Sequence, residues 1–164
     1  ITFDNNGKAN IDHNKCVGCG RCLGACNFDA IYNNNTHANE LLNKKMAEYT
    51  KAVLDGRPSF HINLVLDISP YCDCHAENDL PILPDIGMFA SFDPVALDQA
   101  CADACNAQKP IQGSLLDNNM QSKDFEDHHD HFKNTTPQSE WKSCLEHAEK
   151  IGVGTRKYEI IKVN

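Results

Sequence analysis

Between residues 38 and 55, apolar side chains recur at Leu42, Met46, Tyr49 and Val53, a 4-3-4 spacing that winds onto one helical face. Asn43, Lys44, Glu48 and Lys51 fall on the other face. The pattern predicts an amphipathic helix with the apolar stripe turned inward, ended by Gly56 and Pro58. Phe60 to Leu66 is nearly continuous in apolar residues and predicts a strand, buried around Leu64, Val65 and Leu66. Asp85 to Ala90 predicts another. Asp93-Pro94 is a helix start, with aspartate as cap and proline in the first turn, and that helix is expected to run to about residue 107. Residues 108–135 are polar and read as irregular. A last helix over about 137–151 carries a stripe of Trp141, Cys144, Leu145, Ala148 and Ile151, closed by Gly152, and Tyr158 to Val163 reads as a terminal strand. Strands and helices alternate after residue 36, which predicts an α/β layer.

The first 35 residues read as a separate small unit. Thr2-Phe3 and Ala9-Asn10-Ile11 flank an Asn5-Asn6-Gly7 turn, the signature of a hairpin. Ala30-Ile31-Tyr32 reads as a short strand, and the polar run Asn33 to Thr36 as a boundary. The expected organisation is therefore a unit at 1–35 and a larger domain at 36–164.

Charge and composition narrow the possibilities. The chain has 164 residues, with 15 Lys and Arg against 23 Asp and Glu and a formal net charge of -8. That balance repels phosphate backbones and argues against nucleic-acid binding. No run approaches the roughly 18–20 apolar residues of a membrane span, which argues against an integral membrane protein. Nine cysteines are too few for a small disulfide scaffold, and four of them lie within eleven residues. Such clustering points to metal ligation and to a reducing cytoplasmic setting. The opening Ile1-Thr2-Phe3, without an initiator Met, reads as the start of a fragment or processed piece.

The cluster Cys16-Val17-Gly18-Cys19-Gly20-Arg21-Cys22-Leu23-Gly24-Ala25-Cys26 is C-x2-C-x2-C-x3-C. Two-residue gaps let one tight loop deliver three thiolates to three corners of an iron–sulfur cube. Gly18 and Gly20 allow the positive φ such a loop needs and keep side chains away from the cluster. The fourth cysteine lies one helical turn on and points away from the first cube. A zinc site built on Cys16 and Cys19 with a later cysteine pair is the alternative, but zinc leaves the third and fourth cysteines at this spacing unexplained.

On these residues, 8–32 resembles one half of a bacterial ferredoxin, with Asn27 where ferredoxins usually carry proline and without a second cysteine quartet. Further segments are similar to a widespread prokaryotic family known only as a domain of unknown function with a ferredoxin-type cluster. They are Asp67-Ile68-Ser69-Pro70-Tyr71-Cys72-Asp73-Cys74, Pro84-Asp85-Ile86-Gly87, Ala90-Ser91-Phe92-Asp93-Pro94-Val95-Ala96-Leu97-Asp98 and Leu145 to Gly152. The resemblance implies iron–sulfur binding. Because the family's proteins usually extend further at the N-terminus, it also implies that this chain is a C-terminal half.

A cube needs four protein ligands. Cys72 and Cys74, in a loop beyond a predicted strand, are the natural supplement to Cys16, Cys19, Cys22 and Cys26. Cys101 and Cys105 sit i, i+4 on a predicted helix, where cysteine commonly acts as a small core hydrophobe. Counting them gives eight thiols, the number for two cubes; one cube with Cys16, Cys19, Cys22 and one distal cysteine is the other arrangement. Cys144 belongs to a core stripe. Asp127-His128-His129-Asp130-His131 reads as a solvated loop, since adjacent histidines cannot all face one ion. His75 and Asp79 are candidate acid–base groups beside Cys72 and Cys74.

The expected architecture is thus α+β or α/β, a small ferredoxin-like iron–sulfur unit packed on an α/β layer domain. The expected activity is electron transfer through one or two 4Fe–4S clusters to a redox partner with a basic docking face. The alternatives are an oxidoreductase whose substrate site is completed by the missing N-terminal half, and a cluster retained for structure or sensing.

Overall fold

The computed structural model describes residues 1–17, 20–26, 30–31, 38–72 and 80–163. The chain divides into two units, Ile1–Thr36 and His37–Asn164.

In the first unit, β1 (Thr2–Phe3) pairs antiparallel with β2 (Ala9–Asn10), as the Asn-Asn-Gly turn predicts. Asp4 organises the turn: its carboxylate accepts from the N–H groups of Asn6 (2.8 Å) and Lys8 (2.9 Å), and Gly7 takes φ 76°. A short helix α1 (Arg21–Ala25) follows. Ala30 and Ile31 form no strand, and Tyr32 of the expected Ala30–Tyr32 strand lies outside the described residues.

The second unit begins with α2 (Ala38–Leu54), then β3 (His61–Val65), β4 (Gly87–Ser91) and α3 (Pro94–Asn106). Two short helices, α4 (Leu115–Met120) and α5 (His131–Thr135), precede α6 (Trp141–Lys150). β3 and β4 form a two-stranded antiparallel sheet in which Ile62 faces Ala90 and Leu64 faces Met88. Mixed helices and small antiparallel sheets make this an α+β structure; of the α/β layer suggested by strand–helix alternation, the described residues form only the antiparallel β3–β4 pair with its helices. α3 covers one face of the sheet, and its start is set by Asp93, whose Oδ1 accepts from Val95 N (2.9 Å) and Ala96 N (3.0 Å).

Three expectations are corrected. The stretch 108–135 is not simply irregular: it holds α4 and α5, and Leu116 is completely buried in the main core with Val65, Ile82, Leu83 and Leu97. Tyr158 to Val163 is not a strand; among the described residues no edge pairs with it, and Ile161 and Val163 stand in solvent. In β3 only Val65 is buried, because α3 covers one sheet face and strict alternation leaves Leu64 on the other.

The largest correction concerns α2. Its predicted inner stripe, Leu42, Met46, Tyr49 and Val53, is exposed, and the face against α6 is the polar one. Asn39 Nδ2 donates to Gln138 O (2.9 Å), Asn43 Nδ2 to Glu140 O and Ser143 Oγ, and Lys51 Nζ to Ile151 O. The contacts advance together along both helices, so α2 and α6 run in the same direction. Between the polar contacts Ala47 meets a small core of Val95, Leu145 and Ala148, where short side chains allow close approach. The polar residues of α2 satisfy carbonyls flanking both ends of α6, and Lys51 places its charge at the negative end of the α6 dipole.

Candidate metal centre

In the first unit the cysteines are positioned by turn chemistry. Asp12 accepts from Asn14 N through its side chain (3.0 Å) and from Cys16 N through its carbonyl (2.9 Å), which fixes the turn that presents Cys16. Gly20 adopts φ 71° and caps α1, so the chain reverses just before Cys22; glycine meets this left-handed geometry without strain. Cys22 is the second residue of α1. Cys26 caps its end, with its N–H bonded to Leu23 O at 3.3 Å. Cys16 is exposed, and Cys22 and Cys26 are half-buried. Gly18 and Cys19 lie outside the described residues.

This donor set fits an iron–sulfur cluster in its chemistry. Cys16 is exposed and α1 buries no residue, so among the described residues neither Cys16 nor Cys22 serves an apolar core. Among the described residues, no three His, Cys, Asp or Glu side chains converge as a complete metal site.

In the second unit, Cys72 is exposed at the start of a loop whose base is anchored. Asp67 N donates to Asp85 Oδ1 (2.9 Å), Ile82 N to Ile68 O (2.7 Å) and Ile86 N to Val65 O (2.9 Å). Ile82 and Leu83 insert into the core beneath, and Pro70 is buried. Cys74, His75 and Asp79 fall outside the described residues. Beside Cys72 opens a cavity of about 520 Å³ lined by Ser69, Tyr71, Phe132, Thr136 and Ser139 among others. Its walls combine hydroxyl groups with aromatic rings and, among the described residues, carry no ionisable side chain besides Tyr71 and Cys72.

Cys101 and Cys105 sit elsewhere, in the main core against Val65, Leu97 and Leu116. Burial, and then the neighbouring Cys101, pushes the Cys105 thiol up to about 11. Burial also raises Cys101, opposed by a hydrogen bond from Asn63 Nδ2 at 3.6 Å. Both are therefore held as neutral thiols. Cys144, on the predicted apolar stripe of α6, packs against the smaller core, and burial raises its thiol as well.

Within the 127–131 run Asp127 and His129 are exposed, as a solvated loop requires, but Asp130 and His131 are held by the fold. Asp130 is 3% exposed: it caps α5 through Phe132 N (3.1 Å) and Lys133 N (3.3 Å) and accepts from Trp141 Nε1 (2.8 Å) and Lys142 Nζ (3.0 Å). His131 Nε2 bonds Gln108 O at 2.9 Å, and Asn134 ties Asp127 to the N–H of His128. The run is a structural junction between α3, α5 and α6. The signal for it was the Asp130 cap pattern, hidden among adjacent histidines.

These elements belong to a known family. The family described as Domain of unknown function (DUF362) matches residues 4–103, from the hairpin through the cysteine run, α2 and the sheet to near the end of α3. The chain is a member of that family. No curated protein and no solved structure matches it. Among the described residues, no helix is long and apolar enough to cross a membrane.

Proposed function

We propose that this chain is an iron–sulfur electron-transfer module. Cys16, Cys19, Cys22 and Cys26 of the first unit and Cys72 and Cys74 of the second are its ligand candidates for 4Fe–4S binding, in a reducing cytoplasmic setting. The observation that carries the reading is the C-x2-C-x2-C-x3-C run, supported by the placement of Cys16, Cys22 and Cys26 on turns and a short helix that bury nothing. Cys101 and Cys105 have a packing role that accounts for them, which favours one cube over two. A cluster held there supplies reversible one-electron transfer. The protein's own contribution is to present the thiols on hydrogen-bonded turns and to set the surrounding charge. A net charge of -8 favours the oxidised, less negative cluster and a partner with a basic docking face.

A second reading is favoured by one observation, the cavity beside Cys72. Its volume lies within the roughly 300–1,000 Å³ of small-molecule sites. In that reading the chain is the cluster-bearing part of an oxidoreductase, with His75 and Asp79 as proton-transfer candidates and a preceding N-terminal half completing the site.

The test is iron and acid-labile sulfide per chain after anaerobic preparation, with electrochemical titration. About four irons per chain and reversible reduction without added substrate support the carrier. About eight restore the two-cluster arrangement with Cys101 and Cys105. A cluster inert over accessible potentials leaves only a structural or sensing role, and zinc without iron overturns the redox reading.

A further inference from the structure

The sheet has one face covered by α3, formed by Asn63, Val65 and Phe89, and a second face of opposite character. On that second face Ile62 (55% exposed) lies opposite Ala90, and Leu64 (66%) lies opposite Met88 (68%). The same alternation carries Phe60, Leu66 and Phe92 onto it, and the rings of Phe60 and Phe92 meet edge-to-face with centroids 5.0 Å apart. None of the seven residues is polar or ionisable. Single exposed apolar residues are ordinary; an unbroken apolar row across two paired strands marks a contact surface.

We propose that this face is the interface between two copies of the chain, packed sheet to sheet around a two-fold axis. The exposed area of these seven side chains is on the order of 800 Å², the area each partner contributes to a standard-size stable interface. A two-fold contact sets the same patch against itself, so the patch must be self-complementary. On a chain of net charge -8 most surface fails that condition, because carboxylates would face carboxylates. This face meets it, having no charge at all. Two small twisted sheets stacked at about 10 Å spacing then interleave the Ile62, Leu64 and Met88 side chains of both copies. The inference is independent of the cluster.

Sedimentation velocity on the full chain, anaerobic and with reductant over a wide concentration range, tests it. The expected mass is twice 18.3 kDa, with no larger species. Leu64→Glu, at a position exposed in the single copy, should weaken association by at least about a hundredfold, because two unpaired carboxylates would be buried at the contact. Met88→Glu should act alike and carries the test should Leu64→Glu lose its helical circular dichroism. Met46→Glu, on the exposed stripe of α2, should leave the dimer intact. A single-copy mass at all concentrations, open-ended assembly, or a dimer that survives both sheet substitutions or is lost with Met46→Glu would overturn the proposal.

Discussion

A Cβ placed on Gly154 would lie 2.0 Å from Oδ1 of Asp93, so the chain after α6 passes the cap of α3 at a distance only glycine permits. The carboxylate has two duties there. Oδ1 holds the first turn of α3, and Oδ2 accepts from Thr155 N at 2.8 Å. One aspartate thus joins the start of a helix to a segment sixty residues away. Gly154→Ala should displace it and lower stability by about 1–2 kcal/mol, the worth of a helix cap. Denaturant unfolding of Gly154→Ala, Asp93→Ala and the double variant checks this; the two changes should be markedly less than additive.

Asp130 should be the most sensitive carboxylate in the chain. Asp130→Ala loses the α5 cap and leaves Trp141 Nε1 and Lys142 without their buried acceptor, for an expected loss of roughly 2–4 kcal/mol. Burial pushes the Asp130 carboxyl up, but hydrogen bonds from Lys142, Trp141 and the Lys133 N–H outweigh it and hold the group below its ordinary range. Its charged form therefore stabilises the fold fully above the unfolded-state value of about 3.9 and loses that contribution as pH falls through the lower folded value. Thermal melts of wild type and Asp130→Asn between neutral and acid pH should converge only below about pH 4. A constant gap would show that the charge of Asp130 is irrelevant.

On α2, substitution should invert the usual rule for an amphipathic helix. Lys51→Met removes a donor to Ile151 O and a favourable charge at the end of α6, and should cost about 1 kcal/mol. Tyr49→Gln, at a position 73% exposed, should stay within about 0.5 kcal/mol. Melting temperatures of the two variants decide it, and a larger loss for Tyr49→Gln would place the apolar stripe inside after all.

The two groups of cysteines should separate by phenotype. Cys105→Ser puts a hydroxyl into the main core and should cost about 1–3 kcal/mol while leaving iron content unchanged. Cys16→Ser and Cys22→Ser should lose iron with little effect on the unfolding of the second unit. Because burial holds the Cys105 thiol near 11, it should resist iodoacetamide at pH 8 until the chain unfolds, which mass spectrometry of the labelled peptide reads directly.

Sequence by itself determined where most elements begin and end, since those signals act over a few residues. The Asn5-Asn6-Gly7 turn made β1 and β2, Asp93-Pro94 opened α3, and Gly152, at φ 77°, stands just beyond α6. The spacing of Cys16, Cys19, Cys22 and Cys26 is legible for the same reason: it is a pattern of distances along the chain. Tertiary structure decided which faces are inside. A periodicity shows that α2 has two faces, but the choice between them came from Glu140, Ser143 and Ile151, about a hundred residues downstream, whose polar groups recruit Asn43 and Lys51. Cys101 and Cys105 became core against Val65 and Leu116, and Asp130 a buried junction with Trp141 and Lys142, through partners on other elements of the fold. Local hydrogen bonding and steric preference are written in neighbouring residues; burial is a property of whatever surface the folded chain brings alongside.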